Sequence, residues 1–176
     1  KIKNNIFWFY SIAKLKFADG SISTLKSNSS FSLVTSQQYA GQLSYSIKIK
    51  LSAGRTEIVA NPQHLQDDHV EVETPTAVAV VRGTEFRVGA ENAKAIEETL
   101  QGLVDFSANG QAVQVSEQFG TVARAGEPPT APQKLPDAPS TQAFTKLFHG
   151  NQARFDVPLL AGFSWVAQLA TDQSFN

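Results

Sequence analysis

Residues 70–88 read VEVETPTAVAVVRGTEFRV, and this stretch decides the fold class. Its first four residues alternate apolar and polar, which is the period of a half-buried β-strand. Pro75 lacks a backbone N–H and so belongs at a strand end or corner. Gly83 permits the positive φ or close backbone approach that a bulge or corner needs. Alternation then resumes, with Phe86 and Val88 on one face. The stretch therefore predicts strands separated by two corners, and it contains no catalytic constellation.

The rest of the chain continues the β pattern, with Gly, Asn, Ser or Pro at short intervals. Asp19-Gly20 predicts a tight turn, and Asn109-Gly110 predicts a type I′ hairpin, in which both central residues need positive φ. The clean strand at 45–51 is expected to end in a turn at 52–54. Residues 93–99 are interpreted as a strand, because β-patterned segments flank them. We expect an all-β protein, and strand spacing alone leaves a sandwich, a barrel and a β-solenoid open.

Composition excludes several functional classes. The chain has 176 residues, 18% of them charged, and a formal net charge of −1. Lysine and arginine are scattered, which argues against a nucleic-acid partner. Cysteine is absent, so disulfides, thiolate zinc sites and cysteine nucleophiles are excluded. No apolar run approaches the roughly 20 residues that span a bilayer. Methionine is also absent, and we expect a piece of a longer polypeptide whose leader or anchor can lie outside it.

A change of composition divides the chain. Residues 127–140 read EPPTAPQKLPDAPS and carry most of the eight prolines. Proline cannot donate to a strand ladder and favours an extended form, so this stretch is predicted to be a linker or a strap over a surface. We therefore expect a β domain over 1–126, a proline-rich linker or strap over 127–143, and the start of a second β module over 144–176.

The motifs also resemble those of a known family. Residues 74–88 resemble the signature of the FecR domain family, in which TPTA(V)A-x-VRGT-x-F-x-V precedes an L-x-G-x-V strand, found here at Leu100–Val104. Phe17–Ser21 is similar to the family's f-x-DGS turn, and Leu51–Arg55 to its L-x-x-G-r strand end. The resemblance extends over about 13–126, because several motifs follow in the family's order.

The signature positions are interpreted as architectural, at corners and in the core, and not as a ligand site. They are Asp19, Gly20, Pro75, Arg82, Gly83, Thr84, Phe86 and Gly102. The resemblance implies an all-β domain of short strands coiled as a β-helix-like solenoid, in the periplasm or elsewhere outside the bacterial cytoplasm. The closing strands depart from the family in lacking its usual glycine near Ser116.

The resemblance leaves three functions open. The best-known members sense an outer-membrane transporter and signal across the inner membrane to a sigma factor, through a helical segment and a membrane helix that this sequence does not contain. Residues 163–172 instead look like the start of a β-sandwich repeat. We therefore favour a non-enzymatic cell-envelope binding or scaffold domain, with other envelope proteins or peptidoglycan as partners. The alternatives are a periplasmic sensing domain of a FecR-type sigma-factor regulator and a polysaccharide-active enzyme.

Candidate chemistry is sparse. Residues 64–69, HLQDDH, could supply mixed nitrogen and oxygen ligands to a metal, although a solvated loop is the simpler interpretation. Glycoside chemistry needs two acids across a cleft, and the candidate acids all fit exposed strand or loop positions. They are Asp67, Asp68, Glu71, Glu73 and Glu85. We predict no catalytic residue, cofactor or metal. The aromatic residues at 7–10 could form a binding surface or an N-terminal strand that caps the core, and both remain open.

Overall fold

The structure, a computed structural model, describes residues 6–9, 12–38, 45–62, 69–137, 147–149 and 152–154. The residues from 64 to 68 of the candidate metal loop and the predicted sandwich repeat at 163–172 lie outside them. Every regular element in the described part is a β-strand, which confirms the all-β prediction. No helix within these residues is long and apolar enough to cross a membrane.

The described residues form fifteen strands. They are β1 (Ile6–Phe9), β2 (Ala13–Lys16), β3 (Ile22–Leu25), β4 (Ser29–Gln38), β5 (Tyr45–Val59), β6 (His69–Glu73), β7 (Val78–Val81), β8 (Glu85–Glu91), β9 (Lys94–Gln101), β10 (Leu103–Ala108), β11 (Gln111–Ser116), β12 (Phe119–Arg124), β13 (Gln133–Lys134), β14 (Leu147–His149) and β15 (Gln152–Arg154).

Thirteen of these strands form one sheet with two branches that share β5. The first half of β5 pairs with β4 and β6, and its second half pairs with β3 and β8. One branch runs β1-β4-β5-β6-β7-β10-β11, and the other runs β2-β3-β5-β8-β9-β12-β13. The β5–β6 pair is parallel and the other pairs are antiparallel.

The turn predicted at 52–54 is wrong, because β5 continues through it. Gly54 adopts a φ of +85°, and a Cβ at this position would clash with Ser29. Glycine therefore lets one strand bend where it passes from the first branch to the second.

The curled sheet encloses one core to which both branches contribute. Phe31 and Ile49 come from the first branch, Ile58 and Phe86 come from the second, and each is at most 1% exposed. Burying a side chain of this size contributes roughly 1.5–3 kcal/mol. The described sheet is a curled half-barrel, and the β-helix and sandwich details of the prediction are not confirmed. Coils of a β-helix would stack parallel strands, whereas these pairings are mostly antiparallel.

Two turns fix the hairpins of the first branch. The predicted type I′ turn is confirmed, because Asn109 and Gly110 have φ of +47° and +74°. At the β6–β7 corner, Thr74 Oγ1 accepts a hydrogen bond from the Ala77 amide at 2.9 Å, and the Thr74 amide donates to the Ala77 carbonyl at 2.8 Å. Pro75 is exposed at the tip of this corner, where no donor is required.

The proline-rich segment covers one edge of the sheet. Thr130 exchanges two bonds with Val122, its amide donating to the Val122 carbonyl at 2.9 Å and its Oγ1 accepting from the Val122 amide at 3.2 Å. Further along, β13 pairs with β12, and the Leu135 amide donates to the Gln118 carbonyl at 2.7 Å. We call residues 127–135 the strap.

The chain divides into two compact units, Lys1–Leu135 and Pro136–Asn176. The first contains the thirteen-stranded sheet with its strap, and the second contains the β14–β15 hairpin. The expected boundaries near 126 and 143 stay a prediction.

Candidate functional site

The outer face of the first branch carries two rows of side chains that cross five strands. The first row is Lys48, Glu71, Val80, Asp105 and Gln114. The second row is Lys50, Glu73, Val78, Ser107 and Ala112. Alternation places these side chains outward, because the residues between them point into the core. The rows form a largely polar face with four of its five charged side chains at the β5 and β6 end and the fifth, Asp105, on β10.

Ion pairs organise that end. Lys48 Nζ lies 2.7 Å from Glu71 Oε1 and 3.4 Å from Glu73 Oε2, and Lys50 Nζ lies 3.4 Å from Glu73 Oε1. The hydrogen bond from Lys48 to Glu71 raises the pKa of the lysine, against a smaller opposing effect of desolvation. Since all four side chains are partly exposed, each pair contributes less than about 1 kcal/mol. The pairs therefore fix the position of the charges more than they stabilise the fold.

A groove of about 530 Å³ lies where the two rows meet the Thr74–Ala77 corner and the Asn109-Gly110 turn. Its walls include Lys48, Glu71, Glu73 and Thr76. The Thr76 Oγ1 atom is buried and has no hydrogen-bond partner in the part of the chain that the structure describes. The groove thus offers hydroxyl, amide and carboxylate groups in an open, slightly acidic setting.

The groove does not contain catalytic machinery among the described residues. Glu71 and Glu73 are brought together, but lysine ammonium groups pair with both. Glu85 lies on β8 in the second branch. Asp67 and Asp68 lie outside the described residues. Within the described ranges no three His, Asp or Glu side chains are grouped closely enough to hold a metal ion.

The signature residues of the first turn and of the Gly83 corner have structural contacts. Asp19 accepts hydrogen bonds from the Ser21 amide at 2.9 Å and from Ser21 Oγ at 2.5 Å, and Gly20 follows with a φ of +92°. Gly83 has a φ of +64°, and a Cβ there would lie 2.8 Å from the Pro62 Cα. Both glycines therefore occupy backbone positions that other residues enter only with strain.

The remaining signature residues lie in the core or at the surface of corners. Thr84 Oγ1 donates to the Leu103 carbonyl at 3.0 Å, and Gly102, with a φ of +92°, packs against Thr84. Phe86 is fully buried, whereas Pro75 and Arg82 are exposed. These residues do not line the groove. Their interpretation as architectural residues stays a prediction, which the glycine variants below test.

Glu97 is a buried acid that the sequence analysis missed. It lies on β9 with no exposed surface, and burial raises the pKa of its carboxyl to about 8. Glu97 Oε1 is 2.8 Å from Thr99 Oγ1, which is also 3.1 Å from the Val115 carbonyl oxygen. A glutamate in an alternating strand is normally assigned to the solvent face. Ala95 and Thr99 lie on the same face of β9 as Glu97. These small residues were the one sequence signal that this face, and Glu97 with it, points into the core.

The contacts of Thr99 are compatible with the protonated Glu97 that burial favours. A threonine hydroxyl has one hydrogen to donate, yet two oxygens lie within reach. Both contacts are hydrogen bonds when the Glu97 carboxyl donates to Thr99 Oγ1 and Thr99 donates to the Val115 carbonyl. Ionised Glu97 would compete with Val115 for the single hydrogen. Thr99 thus links β9 of the second branch to β11 of the first, and a neutral Glu97 leaves the threonine hydrogen free for that bond.

The fold and the groove define an all-β domain that presents a polar face and an open groove. Comparison with protein families assigns it further. The model of the FecR protein family matches residues 9–105, which is more than half of the chain. The chain therefore belongs to the FecR family, as its motifs predicted. The match ends at 105, short of the expected 126, so β11 and β12 lie beyond it although they complete the same sheet.

Solved structures show the same fold. Two crystal structures of a "putative anti-sigma factor" from Parabacteroides distasonis ATCC 8503, at 2.50 Å and 1.65 Å resolution, superpose with TM-scores of 0.59 and 0.58. Each is 12% identical to this chain, and each alignment covers 76% of this chain but only 60% of the other. At this identity the likeness concerns the fold alone. A comparison with curated proteins finds no match.

Proposed function

We propose that this chain is the signal-sensing part of a FecR-type regulator that works outside the cytoplasm. In this role it binds another protein of the cell envelope and transmits that binding to a sigma-factor system, without catalysing a reaction. The proposal replaces the scaffold role that the sequence alone favoured with the regulator that was its alternative.

The single observation that carries the proposal is the FecR family match, because that family is regulatory. The fold of the two Parabacteroides structures supports it. The paired glutamates of the groove lie beside lysines, which is consistent with a binding role for this face. An extracytoplasmic location follows from the family's sensing domains and is part of the proposal.

The scaffold and enzyme interpretations have weaker support. No aromatic side chain is among the described residues that line the groove, so the groove itself offers no ring for a sugar face. A polysaccharide-active enzyme needs two unpaired acids across a cleft. The acids in the groove lie on one strand and are paired with lysines.

Transcription in the native host tests the proposal. An in-frame deletion of residues 9–135 from the full-length gene should change the expression of a set of genes controlled by one alternative sigma factor, measured by RNA sequencing. The strain with the intact gene restored should return to the original pattern.

Two outcomes would contradict the sensing role. One is an unchanged transcriptome in the deletion strain together with a defect in envelope integrity, which would support the scaffold. The other is retention of the purified chain on peptidoglycan sacculi at the same level as a known glycan-binding domain.

A further inference from the structure

The described sheet has four edge strands, β1, β2, β11 and β13, and among the described residues two of these edges are protected while the β11 edge is open. The strap covers the outer edge of β12 with a segment rich in proline. The edge strand β2 exposes Lys14 and Lys16, and charged lysines on an edge discourage pairing with other strands. The edge strand β11 reads QAVQVS and has neither proline nor charge. No described strand pairs with its far side.

The hairpin geometry shows which backbone groups of β11 face that open side. In a two-residue type I′ hairpin the residues next to the turn, here Ala108 and Gln111, form the first hydrogen-bonded pair. Alternate residues of β11 then turn their amide and carbonyl groups away from β10. These residues are Ala112, Gln114 and Ser116. They present a row of donors and acceptors spaced to match another strand.

The surroundings of this edge are acidic. Residues 99–123 contain no lysine or arginine. Asp105 lies beside Gln114 on the outer face, where Gln114 Nε2 donates to its Oδ1 at 3.1 Å, and Glu117 follows the end of β11. A strand added beside β11 would lie two strand spacings, about 10 Å, from β10, so a long cationic side chain opposite Gln114 would approach the Asp105 carboxylate across Gln114.

The edge is also continuous with the groove. Gln111 and Ala112 belong both to β11 and to the groove lining. A chain that pairs with β11 and extends past Gln111 therefore passes the groove entrance. Edge recognition of this kind takes its affinity from main-chain hydrogen bonds and its selectivity from side-chain contacts beside them.

We propose that β11 is a docking edge for an extended segment of a partner protein, in which lysine or arginine alternates with apolar residues. The segment adds as a further strand beside β11, turns its basic side chains to the outer face near Asp105, and turns its apolar side chains to the inner face. This inference deepens the proposed sensing role by naming the form of the partner and rests on that role for its biological meaning.

A binding experiment on the full 176-residue chain tests the edge. The probe is a fluorescein-labelled peptide of eight residues with alternating valine and lysine, and binding is followed by fluorescence anisotropy. A second peptide replaces lysine with glutamate. A third keeps the lysines but carries N-methyl groups on alternate amides, which removes its strand donors without altering the protein.

The variant Gln114→Lys places a cation at the exposed centre of the edge. Gln133→Lys is its matched control, because Gln133 is an exposed glutamine on β13 at the strap edge. We expect the valine–lysine peptide to bind wild type and Gln133→Lys equally, and Gln114→Lys at least about tenfold more weakly. N-methylation should weaken binding by a similar factor, since one or two hydrogen bonds are lost.

Several results would overturn the proposal. The proposal is wrong if the valine–lysine peptide does not bind, or if the valine–glutamate peptide binds equally well. It is also wrong if neither Gln114→Lys nor N-methylation weakens binding. If analytical ultracentrifugation shows a wild-type dimer and Gln114→Lys is a monomer, the edge binds a second copy of this chain and not a partner segment. The assay does not involve transcription, so a chain that binds the peptide but regulates no sigma factor would refute the sensing role and leave the docking edge standing.

Discussion

Replacing Glu97 by glutamine should make this protein more stable at neutral and alkaline pH. The carboxyl has a pKa of about 8 in the folded chain and 4.5 as the reference value for an unfolded one. Above pH 4.5 the unfolded chain releases the proton while the folded chain keeps it. The stability that neutral Glu97 contributes is therefore complete below pH 4.5 and is lost as the pH rises to about 8.

The size of the effect follows from the same two values. Each pH unit in this window changes the free energy of unfolding by about 1.4 kcal/mol, so the loss is about 3 kcal/mol at pH 7 and about 5 kcal/mol above pH 8. Glutamine has the shape of the protonated acid, and its amide can donate to Thr99 as the acid does. Glu97→Gln should match the wild type near pH 4.5 and exceed it by these amounts at higher pH.

Urea unfolding followed by far-UV circular dichroism, at pH values from 5 to 8.5, measures the difference. At each pH, subtracting the free energy of unfolding of the wild type from that of the variant removes the contributions of the other titrating groups. Glu91→Gln is the control, because Glu91 is a partly exposed glutamate on the neighbouring strand β8 and pairs with Arg55 at 2.9 Å. A difference between wild type and Glu97→Gln that stays flat from pH 5 to 8 would refute the reasoning, as would a variant that is less stable throughout.

Three further substitutions test the corners, the core and the strap. Gly83→Ala should lower the free energy of unfolding by about 1–3 kcal/mol, because alanine would need a positive φ there and its Cβ would clash with a neighbouring backbone atom. Gly110→Ala is the control: it needs only the positive φ and should lower the free energy of unfolding by about 1 kcal/mol in the same urea titration. Phe86→Ala should cost about 3–5 kcal/mol in thermal or urea unfolding, and Phe119→Ala, at a position 36% exposed, should cost well under half of that. Thr130→Val removes the Thr130 hydroxyl, which accepts from the Val122 amide and contacts Thr121 Oγ1, so amide hydrogen exchange along β12 should accelerate while that of the core strands stays unchanged.

Much of the local structure could be predicted from the sequence, because it depends on short-range rules. Asn109-Gly110 forms a type I′ turn because few residue pairs tolerate two consecutive positive φ angles. The strand at 22–25 follows from alternation and from the turn at Asp19-Gly20 before it. The family motifs also lie where the chain bends, so the family could be recognised from the same residues that make the corners.

Other features depended on which strands become neighbours. Ser52-Ala53-Gly54 has the composition of a turn, yet β5 runs through it because partners on both sides hold the strand extended. Glu97 has the composition of a surface residue, yet it is buried because β9 is sandwiched between β8 and β12 with that face turned inward. The alternation of apolar and polar residues shows that the two faces of a strand differ, but it does not show which face the rest of the sheet will cover.

The sequence by itself therefore determined the all-β class, the main turns and the FecR family, since these are encoded in the alternation, the glycines and the motifs of neighbouring residues. Only the tertiary structure decided that one strand, β5, joins two branches, that the acid Glu97 is buried, and that β11 is an open edge among the described strands. These outcomes depend on pairings between residues far apart in the chain. Whether a backbone N–H or a buried carboxyl has a hydrogen-bond partner depends on which residue the fold places beside it.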